Sequence, residues 1–219
     1  MHFKGMEAIG LSVPEAAGFF GAQDFRDAGF ILDDGRIVGE GILHPCQGFP
    51  DVGARANSGN MFAGLLANVL CGGVADADSV ETVLPRLKAI FEKLGYMEAS
   101  SSDLFDQFLK TGMGAKPVIA GYENQLLEFA VENPEDWAQL KDDIVLIYPT
   151  PTVWSSHIYI ALDEEVQRLA WENHGFRTEV SGTDADENHF GVPHLAAEIT
   201  QVAAMPSYAA MEKIIAALS

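Results

Sequence analysis

Two short runs in the middle of the chain are apolar at successive positions. They are Val118-Ile119-Ala120, between Pro117 and Gly121, and Ile144-Val145-Leu146-Ile147-Tyr148. A strand patterned this way must bury both of its faces, so it needs a covering layer on each side. Around these runs apolar residues recur at helical spacing instead: Leu126, Leu127 and Phe129 after the first, then Val166, Leu169 and Ala170 after the second. Short strands alternating with helices predict an α/β fold, a mostly parallel sheet flanked by helices. Pro149-Thr150-Pro151-Thr152 stops the second strand, because proline has no N–H to give to a ladder. A further strand is expected over Ile158–Leu162, and the helix that follows over Glu164–His174, stopped at Gly175.

Upstream the chain reads as helices. Asn57-Ser58-Gly59-Asn60 leads into Met61, Phe62, Leu65, Leu66, Val69 and Leu70, a stripe that ends at Gly72-Gly73. Ser79 is expected to cap a second helix carrying Val80, Val83, Leu84, Leu87, Ile90, Phe91 and Leu94, with Pro85 inside it as a kink or a delayed start. A third runs from Ser102 or Asp103 through Leu104, Phe105, Phe108 and Leu109 to Gly112, and a last over Tyr208–Leu218. Residues 1–56 are broken by glycines and weakly periodic. There Asp34-Gly35, between Ile31-Leu32 and Ile37-Val38, reads as a hairpin turn. Lys110–Lys116 (KTGMGAK) lacks the spacing of a phosphate loop and reads as a turn, and Ser181–Asn188 as a polar, acidic loop.

Charge removes one class of partner. Thirteen Lys plus Arg against 32 Asp plus Glu give a net charge of −19, which repels a phosphate backbone, so no nucleic-acid partner is expected. Residues 1–20 show neither a signal peptide nor a membrane span. Cys46 and Cys71 are free or paired, and form no metal motif. The six histidines make no HxH or HExxH spacing, and Asp184, Asp186, Glu187, His189 and His194 read as a solvated loop, so no metal site is expected. Ser58, Ser155 and Ser156 lack the surroundings of a nucleophile, and no dinucleotide or Walker fingerprint is present; neither enzymatic activity nor a cofactor is expected.

Two polar clusters remain as candidates for binding. Asn57-Ser58-Gly59-Asn60 opens a helix, where free backbone N–H groups and the positive end of the helix dipole suit an anion or polar head group. The same four residues serve equally as an ordinary N-cap. Tyr122-Glu123-Asn124-Gln125 follows the carboxyl end of a strand, the edge at which open α/β sheets hold ligands, and reads alternatively as a solvated turn.

Taken in order, NSGNMFAGLLANVL, SSSDLFDQFLKTGMGAKPVIAGYENQLLEFA, DDIVLIYPTPTVWSSHIYIAL and EEVQRLAWENHGFRT resemble successive segments of type II periplasmic (extracellular) solute-binding proteins. The resemblance is closest to a bacterial branch often joined to von Willebrand factor A domains, and covers roughly residues 55–215. It implies two α/β lobes hinged by crossing strands, with a ligand in the cleft and no covalent chemistry. By that analogy residues 1–56 belong to a reduced first lobe, 57–162 form the second, and 163–219 return to the first. The implied ligand contacts are Asn57, Ser58, Gly59, Asn60, Tyr122, Glu123 and Asn124. The implied ligand is a small polar or anionic solute, and the implied partner a membrane transporter or a von Willebrand factor A-type chain. The implied location is extracytoplasmic, with the cytoplasm as the alternative. A protein-interaction module derived from such a lobe, acting as a homodimer or through a partner chain, is the competing expectation.

Overall fold

A computed structural model describes residues 2–12, 47–48, 57–94, 98–111, 118–158, 164–177 and 188–219. The expected hairpin at 33–36, the turn at 112–116, Cys46 and most of the acidic 181–188 loop lie outside these residues. Five strands, β1 (His2–Ser12), β2 (Gln47–Gly48), β3 (Val118–Tyr122), β4 (Ile144–Ile147) and β5 (Trp154–Ile158), form one sheet. Among the described residues seven helices accompany them: α1 (Asn57–Cys71), α2 (Ser79–Leu94), α3 (Ser101–Thr111), α4 (Glu123–Glu132), α5 (Pro134–Leu140), α6 (Glu164–His174) and α7 (Tyr208–Leu218).

The mixed α/β class agrees with the sequence pattern, but the expectation of a mostly parallel sheet needs correction. The order is β2-β3-β1-β4, with β5 also on β1, and among these described strands only β2 and β3 pair in parallel. β1 pairs antiparallel with β3, β4 and β5. Helical connections leave β3 and β4 pointing the same way, as expected, but a strand from the start of the chain is inserted between them in the opposite direction. Its carboxyl half, Glu7–Ser12, lies between β3 and β4, and its amino half, His2–Met6, pairs with β5. Segment 1–56 thus contributes its described strands to the same sheet as the 57–162 unit. β5 begins at Trp154 rather than Ile158, because its polar Ser155, Ser156 and His157 conceal it from an apolar search. Residues 159–162 lie outside the description.

Alternation along β3 explains the layering. Ile119 enters one core with Leu104, Phe108, Leu126, Leu127, Trp137, Ile144 and Leu146, supplied by α3, α4, α5 and β4. Ala120, the next residue, enters a second core with Ala63, Ala67, Val80, Leu87, Phe91 and Ile214, supplied by α1, α2 and α7. Successive residues of a strand point to opposite faces, so β3 carries helices on both sides.

The first core also takes Phe190 and Val192, and the C-terminal segment is tied to α1 and α2 by specific bonds. Buried Asn68 donates to the Ala204 carbonyl at 2.8 Å and accepts from the Ala75 amide at 2.8 Å, so its burial is compensated. Lys213 donates to the Ala77 carbonyl at 2.8 Å and pairs with Glu81. Where a return to a first lobe is expected for 163–219, these described residues pack on elements of 57–158. Cap positions sharpen in the same region. The Asp76 carboxylate accepts from the amides of Asp78 and Ser79, and the Ser79 hydroxyl accepts from the Asp76 amide, so Asp76 is the cap and Ser79 closes the box. Hydrogen bonds from Ser79, then Asp78, hold the Asp76 carboxyl below its ordinary value.

Candidate functional site

The head of α1 and the end of β3, 65 positions apart in the chain, meet: Asn57 Nδ2 donates to Tyr122 Oη at 3.4 Å. Sheet topology causes this, since α1 covers one face of the sheet and Tyr122 ends the strand beneath it. Asn57 is exposed, Asn60 half-buried, and Ser58 and Gly59 are buried. The first turn of α1 holds no acidic residue, so no carboxylate there offsets the positive end of a 15-residue helix.

Tyr122 occupies the N-cap position of α4 in extended conformation, and its amide donates to Gln125 Oε1 at 2.9 Å. This back-bond fixes the turn on which Tyr122, Glu123 and Asn124 sit. Tyr122 and Asn124 remain half-buried. Phe105, Phe108, Ile119, Gly121, Tyr122 and Gln125 are among the walls of a cavity of about 20 Å³ under the turn, room for about one water.

Glu123 has a different place. It is 1% exposed, and both carboxylate oxygens are taken: Arg177 Nη2 donates to Oε1 and Arg177 Nε to Oε2, each at 2.7 Å, while Tyr148 Oη donates to Oε1 at 2.5 Å. Arg177 reaches further, to the carbonyls of Ala196 at 2.5 Å and Ala197 at 3.2 Å, and lies 5.5 Å from the centre of the Trp171 ring. Burial works against the guanidinium charge, but the Glu123 hydrogen bonds and charge outweigh it and hold Arg177 above its ordinary pKa. Burial first, and then the Glu123 carboxylate, push Tyr148 well above the ordinary tyrosine value. Glu123 is therefore committed to holding the turn, and the members of the two clusters that reach solvent are Asn57, Asn60, Tyr122 and Asn124. Sequence reading missed Arg177 and Tyr148. The available signal was an Arg just past a helix stop in a chain poor in basic residues, and a Tyr ending an apolar strand.

Other candidates from the sequence resolve as follows. Ser155 Oγ lies 3.2 Å from His157 Nε2, the natural reach of residues two apart on one strand face. Ser155 is buried, and among the described residues no carboxylate bonds the other ring nitrogen of His157. His189 Nε2 approaches the Glu172 carbonyl at 3.1 Å and its ring packs on Phe190. Asp184, Asp186 and Glu187 lie outside the described residues. Cys71 is a half-buried free thiol.

No protein-family model and no curated protein matches this chain. Among the described residues no helix is long and apolar enough to cross a membrane.

Proposed function

We propose that the protein is a non-enzymatic binding module that holds a small polar or anionic solute between Asn57–Asn60 and the Tyr122–Asn124 turn, as a transport or sensing component. The observation that carries this reading is the 3.4 Å approach of Asn57 to Tyr122, which joins the helix head and the strand-end turn that the resemblance implies as ligand contacts. The helix head supplies N–H donors and a positive dipole end, Tyr122 and Asn124 supply side-chain donors and acceptors, and Glu123 fixes their turn. The finer architecture belongs to the same proposal: two lobes with a reduced first one, hinged where β1 and β5 run side by side. That pairing supports a crossing-strand hinge. An extracytoplasmic location and a transporter or von Willebrand factor A-type partner follow from the same resemblance.

A thermal-shift and calorimetry panel of oxyanions, sugars and amino acids tests it. One class is expected to raise the melting temperature, and Asn57→Ala and Tyr122→Phe to weaken that ligand about tenfold each, the effect of one hydrogen bond. If nothing in the panel binds, and Ser58→Ala and Tyr122→Ala leave stability and every measured interaction unchanged, the receptor reading fails.

One observation favours a second reading. All described strands belong to one sheet, so the opposite wall of a cleft could come from another chain, making this a protein-interaction module. Light scattering after size exclusion separates the two: a ligand-free obligate dimer supports the interaction module, a monomer that binds a solute supports the receptor.

A further inference from the structure

We propose that Glu128, Glu132 and His174 form a surface site for a borderline divalent transition-metal ion of the Zn²⁺ type. Glu128 and Glu132 lie one turn apart on α4, and His174 is the last residue of α6, which packs alongside. One ligand atom from each comes within 4.8 Å of the other two. His174 Nδ1 is already 2.6 Å from Glu128 Oε1, across 46 positions of sequence, and this separation hid the site from a search for local histidine spacing.

An ion pair alone leaves part of this cluster unexplained. His174 and Glu128 satisfy each other, but Glu132 adds a second carboxylate at a spacing where like charges repel. Among the described residues Glu132 has no hydrogen-bond or ion-pair partner. A dication answers both carboxylates and uses the imidazole lone pair. Ligands around zinc sit about 2.0–2.2 Å from the metal and so about 3.3–3.6 Å from one another, against a present spread of up to 4.8 Å. The imidazole sets the choice of metal: two carboxylates alone suit Mg²⁺ or Ca²⁺, whereas one added nitrogen favours Zn²⁺, Co²⁺ or Ni²⁺.

The supports of the ligands are rigid. Gly175, next to His174, and Leu127, next to Glu128, approach so closely that a Cβ on Gly175 would lie 2.5 Å from Leu127 Cβ. Both are buried, so the two backbones that present the ligands are locked together, as a metal site requires. Glu128 lies one turn of α4, about 6 Å, beyond Asn124, and His174 belongs to neither solute-contact cluster, so His174→Ala tests this site separately from the solute site.

Calorimetry on the full chain with ZnCl₂, and in parallel with MgCl₂, tests the proposal. The expected result is one Zn²⁺ bound here per chain, at least tenfold more weakly in His174→Ala and several-fold more weakly in Glu132→Gln. Mg²⁺ binding is expected to be weak and indifferent to His174→Ala. Zn²⁺ is also expected to raise the melting temperature of the wild type and not of His174→Ala, since it would bind the folded arrangement of α4 and α6. Zn²⁺ affinity unchanged in both variants, or equal affinity for Mg²⁺ and Zn²⁺, would overturn the site in favour of diffuse attraction by an acidic surface. Glu132 is exposed, so Glu132→Gln keeps the test decisive if His174→Ala unfolds.

Discussion

A carboxylate removed from water stays in a fold only if every lone pair it loses to burial is answered, and Glu123 meets that condition through Arg177 and Tyr148. Arg177→Met takes away the cation and leaves the carboxylate buried, and urea unfolding is expected to register a loss of about 3–5 kcal/mol. In the double variant Glu123→Gln with Arg177→Met the loss should fall well below the sum of the two single losses, because both act on one interaction. Strict additivity would show that the two side chains do not share a bond in solution. Tyr148 adds a pH signature. Its pKa is raised on folding, by burial and then by the Glu123 carboxylate, so its contribution is complete below the unfolded value of about 10 and is lost as pH rises beyond it. Melting series from about pH 8 to about pH 11.5 should therefore show the stability difference between wild type and Tyr148→Phe shrinking above about pH 10. A constant difference across that range would contradict the buried, carboxylate-facing hydroxyl. The positions of Asn57 at a helix start and Tyr122 at a strand end were legible in the sequence. The role of Glu123 was not, because its partner lies 54 positions away and no local pattern joins them.

At the scale of elements, what could be read depended on length and pattern. α1, α2, α3, α6 and α7 were found within a few residues because each repeats its apolar stripe over two or more turns. α5 was missed: it has seven residues, and Trp137 is its only buried one. Helix ends were legible where a glycine marks them, and Gly175 shows why. It has φ +64, its amide donates to the Trp171 carbonyl at 2.9 Å, and it presses on Leu127. Gly191 has nearly the same backbone, φ +61, but a Cβ there would meet only Trp137 Nε1 at 3.8 Å. Gly175→Ala is therefore expected to lose about 2–4 kcal/mol, backbone strain plus overpacking, and Gly191→Ala about 1 kcal/mol, strain alone. Denaturant melts compare the two. Equal losses would mean that the contact with Leu127 contributes nothing.

The whole molecule turns on a strand that the sequence conceals. Gly5 and Gly10 interrupt β1 and Lys4 and Glu7 break its apolar run, so no pattern of period two announces it. Yet β3 and β4, both clear in the sequence, do not touch as neighbours; each pairs with β1. Strand direction was legible from the helical crossovers, whereas insertion of an antiparallel strand between parallel ones was not, since it is decided by pairing across more than a hundred residues. Ile9 sits at the centre of this arrangement, opposite Ala120 on one side and Ile147 on the other. At a position paired on both edges proline cannot keep the ladder, because it lacks the N–H and its ring crowds the neighbouring strand. Ile9→Pro is expected to cost about 3 kcal/mol or more and to separate the two cores, broadening a single cooperative unfolding transition. If instead β1 were a peripheral strand, Ile9→Pro would leave the midpoint and the slope of a urea melt close to wild type, and the sheet order β2-β3-β1-β4 would have to be abandoned. The consequence reaches the candidate site, because Glu7 pairs in register with Tyr122 and the strand that fills the sheet also holds the end of β3 against the head of α1. In Ile9→Pro any solute bound through Asn57 and Tyr122 should therefore weaken together with stability, whereas in Tyr122→Phe it should weaken alone.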